Sequence, residues 1–135
     1  MYQTILKKFS EDGIYLNDEQ DNFLKILERN LPRKTFLANF FIKKTKKGCY
    51  VFGDVGRGKT MILNSIFNEI EHTKSSYHYI EFMKFIHTEL ELVKNIKNPL
   101  EKIAKKIASE NRVLFIDEFQ VEDVSDAMII GKLLN

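Results

Sequence analysis

An α/β fold, with a parallel sheet flanked by helices, is predicted by two patterns in this sequence. Short runs of strand-forming residues alternate with helical periodicities along the chain, which is the order of βα units. Four apolar residues, Val113 to Ile116, are followed at once by two acids, as in a strand buried on both faces of such a sheet. The chain has 135 residues, 44% hydrophobic and 30% charged, enough to bury the core of one ordinary domain.

Each element has its own signal. Asn17 before Asp18, Glu19 and Gln20 reads as an N-cap with its capping-box partner. It opens a helix through "EQDNFLKILERN", with Phe23, Ile26 and Leu27 as apolar stripe and an end before Pro32. Apolar pairs four apart, Phe36/Leu37 and Phe40/Phe41, predict a second helix that Gly48 closes. "CYVF", Cys49 to Phe52, is bounded by glycines and predicts a strand, with Cys49 as a buried small residue. Ile62, Ile66 and Ile70 predict a helix from about Lys59 to Glu71, and "SYHYI" at 76–80 a strand. "FMKFIHTELELVKNI" returns to helical spacing at Phe82, Phe85, Ile86, Leu90 and Val93. Asn98 and Pro99 are cap and first-turn residues for "PLEKIAKKIASE". After the strand at 113–116, Ala127, Ile130, Leu133 and Leu134 mark a last helix from about Val124 to Leu134. No repeat or Pro/Gly/Ser linker divides the chain.

Bulk properties narrow the function. The longest apolar run, "FLANFFI", is far short of the roughly 18 to 20 residues that cross a bilayer. The N-terminus lacks the pattern of a secretory or transit signal, so a cytoplasmic protein is expected. A single cysteine precludes an internal disulfide, and three histidines without metal-ligand spacing give no sign of a zinc site. His72, His78 and His87 therefore read as helix-surface or strand-packing residues. The net charge of +2 supplies no strong field toward nucleic acid. Lys43, Lys44, Lys46 and Lys47 read as a solvated face or loop, with a phosphate-backbone or lipid contact as the alternative.

Two motifs carry chemistry. Gly53-x-x-x-x-Gly58-Lys59-Thr60 has the spacing of a phosphate-binding loop (Walker A) and lies between a predicted strand and a predicted helix. Glycines let the backbone fold round an anion with its N–H groups inward, and the helix start adds unpaired donors and partial positive charge. The segment Gly53, Asp54, Val55, Gly56, Arg57, Gly58, Lys59 and Thr60 is thus the candidate nucleotide cradle. In it Lys59 reaches the β and γ phosphates and the Thr60 hydroxyl ligates magnesium. The Asp54 side chain is expected to point away from the phosphates; Arg57 touches phosphate or a neighbouring subunit, or faces solvent. Asp117 ends the "VLFI" strand at its carboxyl edge, where open α/β sheets bind ligands. An acid there (Walker B) holds the magnesium ion through water, and Glu118 beside it polarises the attacking water.

"YVFGDVGRGKTMIL", "HYIEFMKFIHTEL", "NPLEKIAKKIA" and "VLFIDEFQVEDVSDAMIIGKLL" come in the order and approximate spacing of the ZapE-like ATPases, bacterial cell-division relatives of a mitochondrial AAA+ family. The resemblance covers the chain from about Ile14 onward. It implies an AAA+ P-loop NTPase domain, with 1–135 its N-terminal part and a helical leader at about 1–47. It implies ATP and Mg²⁺ as ligands, Gly53, Gly58, Lys59 and Thr60 as nucleotide contacts, Asp117 as the magnesium-side acid and Glu118 as the residue that activates water. The division protein FtsZ is the partner it suggests. Members of that family continue past the point where this sequence ends, with further strands, a sensor residue and an arginine finger. The sheet is accordingly expected to be incomplete at the C-terminal side, with a vacancy between the phosphate-loop strand and the Asp117 strand. Three outcomes follow: direct pairing of those strands, a strand borrowed from another copy or a complementing polypeptide, or partial unfolding. Nucleotide binding with slow or absent hydrolysis is expected of this polypeptide alone. A helicase-loader-like AAA+ ATPase acting on DNA, or a degenerate non-catalytic fragment, are the alternatives.

Overall fold

The computed structural model describes residues 1–31, 48–52, 56 and 58–134. They form two compact units, Met1–Glu71 and His72–Asn135. The helix expected over 36–42 and the lysines at 43–47 lie outside the described residues. No helix among the described residues is long and apolar enough to cross a membrane.

The first unit holds three helices: α1 (Tyr2–Glu11), α2 (Asp18–Asn30) and α3 (Lys59–Glu69). Helix α1 ends in a Schellman turn: Gly13 takes φ +71°, its N–H bonds the Ser10 carbonyl, and Ile14 N–H bonds that of Phe9 at 2.7 Å. Helix α2 opens on the expected capping box and stops at Leu31, whose extended backbone suits the residue before a proline. The three helices contact one another in every pairing. Among the described residues of the unit, Ile5, Phe9, Leu24, Leu27, Ile62, Ile66 and Ile70 are buried. The stripe of α2 differs from the expected one, because Leu24 is buried and Ile26 is 41% exposed. Positions 24 and 27 share a helical face, whereas 26 and 27 are turned about 100° apart.

"CYVF" forms no strand. Residues 49–52 carry no regular structure, Tyr50 and Phe52 are 69% and 84% exposed, and Cys49 is exposed rather than buried. β-propensity is realised only through a pairing partner, and the first unit offers no strand among its described residues. The direct pairing of residues 49–52 with the Asp117 strand is not observed, since that strand pairs with Lys74–His78.

The second unit is built on a parallel pair, β1 (Lys74–His78) and β2 (Val113–Asp117), in register from Lys74 opposite Val113 to His78 opposite Asp117. Between them run α4 (Tyr79–Leu92) and α5 (Pro99–Glu110), and α6 (Val124–Leu133) follows β2. Strand β1 ends two residues earlier than expected, because Tyr79 belongs to the helical stripe. Tyr79, Phe82, Met83 and Ile86 repeat at i, i+3, i+4, i+7 and form a core with Ile103 and Ile130. Leu114 and Ile116 of β2 pack against this core. Strand β2 is half-buried along its length, not buried on both faces, as befits a member of a two-stranded sheet with one paired edge. Asn98 precedes α5 with left-handed backbone, φ 54°, and makes no side-chain cap; its amide reaches toward Glu101 at 3.5 Å instead. On α6 only Ile130 is buried, with Leu133 packed beside it, whereas Leu134 is exposed.

Candidate functional site

The first unit carries the loop glycines and the start of α3. Gly56 and Gly58 both take left-handed backbone, φ 80° and 77°, a conformation that costs an L-residue about 1 to 2 kcal/mol. Gly58 is the N-cap of α3, and its carbonyl accepts the first helical bond from Ile62 N–H at 3.1 Å. A glycine cap has no side chain to bond the first amides of the helix. Lys59, half-buried, and Thr60, exposed, are the first two helical residues. The N-terminal amides and the partial positive charge of the helix end therefore suit an anion. Gly53, Asp54, Val55 and Arg57 lie outside the described residues.

The second unit carries the acids. Asp117 is the last residue of β2, at the carboxyl edge of the sheet and in register with His78. Glu118 follows with φ 52°, an uncommon conformation for a residue with a side chain. Its N–H donates to Asp117 Oδ1 at 2.9 Å, so the turn after the strand is held by the carboxylate that precedes it. The structure brings Gly58, Lys59 and Thr60 together in one unit, and Asp117 and Glu118 in the other.

The second unit also holds side-chain contacts that the sequence did not disclose. Phe119 meets Tyr79 of α4 edge-on, ring centroids 5.1 Å apart. Asp123 caps α6 by accepting from Ser125 N–H at 2.6 Å and Asp126 N–H at 3.2 Å. His87 Nε2 of α4 lies 2.9 Å from Asp126 Oδ1, and Lys106 Nζ of α5 bonds Glu89 of α4 at 2.8 Å. Helical or strand periodicity gives no sign of contacts between residues 39 positions apart. The Ser125 hydroxyl, the two backbone N–H groups and then the attraction of His87 hold the Asp123 carboxyl below its ordinary range. Burial, followed by the charges of Asp126 and Asp123, pushes the Tyr79 phenol up.

Comparison with known proteins identifies the family. Residues 7–135 match the family model described as AFG1-like ATPase. The cell division protein ZapE of Escherichia coli (strain K12) is 38% identical over 89 residues, 65% of this chain and 24% of that protein. Lactation elevated protein 1 homolog B of Danio rerio is 32% identical over 99 residues, 64% of this chain and 20% of that protein. An uncharacterized protein of Schizosaccharomyces pombe is 31% identical over 122 residues, 83% of this chain and 27% of its own length. The chain thus spans about a quarter of the length of the curated relatives it matches. No solved structure matches it. An α/β architecture with a small parallel sheet between helices is compatible with a P-loop ATPase, and the match over nearly the whole sequence places the chain in a family: it is a ZapE-like member of the AFG1-like ATPases.

Proposed function

We propose that this chain binds ATP and hydrolyses it to ADP and phosphate as part of an AAA+-type P-loop ATPase with a role in cell division. The observation that carries the reading is the start of α3: a left-handed Gly58, which has no side chain to cap the helix, leads straight into Lys59 and Thr60 at the first N–H groups of the helix. Those donors fit a phosphate group. The division role is taken from the name of the E. coli relative.

Each residue then has one task. The loop from Gly53 through Asp54, Val55, Gly56 and Arg57 to Gly58 supplies backbone N–H groups to the phosphate oxygens. The Lys59 ammonium neutralises charge on the β and γ phosphates. The Thr60 hydroxyl and the Asp117 carboxylate are the magnesium-side ligands, and magnesium, when bound, neutralises charge that develops on the phosphate oxygens. Glu118 accepts a hydrogen bond from the attacking water and takes its proton as the γ-phosphorus–oxygen bond to ADP breaks. Catalysis is then mostly positioning and electrostatic stabilisation, with little covalent work for the protein.

Phosphate release by Glu118→Gln and Lys59→Ala variants tests this. The Gln variant should keep nucleotide binding and lose turnover by about 100-fold or more; the Ala variant should lose binding as well. Phosphate release by the parent that is unchanged in both variants would overturn the reading.

A further inference from the structure

We propose that Gln20, in the first turn of α2, is a positioning residue of the phosphate loop, an inference that rests on the nucleotide-binding reading above. The Gln20 amide is fixed at one end. Its Oε1 accepts Asn17 N–H at 3.0 Å, while Gln20 N–H donates to Asn17 Oδ1 at 2.9 Å. Because the Asn17 N–H needs an acceptor, the capping box also settles which end of the amide is which: oxygen toward the cap, Nε2 the other way.

The other end meets the loop. A methyl group placed on Gly58 would lie 2.9 Å from Gln20 Nε2 and 3.9 Å from its Cδ, with Met61 Cε at 3.7 Å. At Gly13, Gly48, Gly56 and Gly131 the same test meets nothing within 4 Å. Gly58 is therefore both left-handed and walled in, and the wall is a side chain anchored by its own cap. This contact sits at the joint where the loop becomes α3 and presents Lys59.

The identity of the residue follows from the two contacts together. A capping box accepts glutamate or glutamine at this position with equal ease. Beside a loop that holds a nucleotide polyphosphate, only the neutral amide avoids placing a negative charge against the ligand. Gln20 thus satisfies the cap of α2 and keeps the wall of the loop neutral and donating.

The Gln20→Glu substitution separates these roles. The box survives, so thermal unfolding without nucleotide should be unchanged. The affinity for Mg·ATP, read by calorimetry, should fall about tenfold at low salt, with the loss shrinking as salt is raised. Equal affinity of the variant and the unaltered chain at every salt concentration would overturn the proposal. Should Gln20→Glu fold poorly, Gly58→Ala compared in the Gln20 and Gln20→Ala backgrounds serves instead. Contact requires the alanine at 58 to cost less affinity once Gln20 is shortened, and additive losses would refute it. If the unaltered chain takes up no Mg·ATP, the nucleotide reading itself falls, and this proposal with it; if it binds and only Gln20→Glu fails to differ, this proposal alone is lost.

Discussion

His87 of α4 and Asp126 of α6 meet at 2.9 Å across the second unit, joining the "HTEL" stretch to the "DAM" stretch. The pair links the helix after β1 to the helix after β2. Its side chains are 52% and 23% exposed, which keeps the energy small. A double-mutant cycle with His87→Ala and Asp126→Ala should give a coupling of about 0.5 kcal/mol, measured by urea unfolding. A coupling above about 2 kcal/mol would mean that the pair sits in a far less solvated site than the one described.

Tyr79 is 5% exposed, and its hydroxyl has no hydrogen-bond partner among the described residues. Tyr79→Phe removes the orphaned group while keeping the ring against Phe119. The variant should be as stable as the parent or more stable by about 1 kcal/mol. Because burial and the two aspartates push the phenol up from 10.0, the tyrosine stabilises the fold below that value. Its contribution is lost as pH rises through the higher folded pKa, so the parent should lose more stability than the Phe variant in alkali. Thermal melts of both across the alkaline range measure this.

Glu118 has φ 52° at the end of β2. Glycine adopts that conformation without strain, so Glu118→Gly should raise stability by about 1 kcal/mol while abolishing hydrolysis. Glu118→Ala should lose hydrolysis without the gain. Equal stability of the two variants in thermal melts would show that the turn is not strained.

Asp123 is held below the ordinary carboxylate value of 3.8, chiefly by the Ser125 hydroxyl and the N–H groups of Asp126 and Ser125. A depressed carboxyl stabilises the folded state above its unfolded pKa, and the contribution is lost as pH falls through the lower folded value. Asparagine is an equally good cap that does not titrate. The melting temperature of Asp123→Asn should therefore respond less to acid than that of the parent between about pH 5 and pH 2. Parallel curves would contradict the capping assignment.

Local patterns made most helices legible. Asn17 and Gln20 announced α2, Pro99 announced α5, and the apolar repeat of α4 was plain apart from its first residue, Tyr79, read as strand. The loop spacing and the acids after "VLFI" were legible for the same reason: each is a short contiguous signal. What failed was non-local. "CYVF" has the composition of a strand but meets no other strand among the described residues of its unit, and Leu24 replaces Ile26 in the core because packing against α1 and α3 chooses the face. The His87–Asp126 pair and the Gln20–Gly58 contact join positions 39 and 38 apart, beyond any helical or strand period. The left-handed turn at Glu118 had no signal, since glycine is the residue that normally marks one.

Calorimetric titration of Mg·ATP into the chain and into Lys59→Ala tests the central claim most directly. The account predicts saturable, magnesium-dependent binding by the parent and at least a tenfold loss in the variant, or about 1.4 kcal/mol. Binding of equal strength in both, or none in a folded parent, would contradict it.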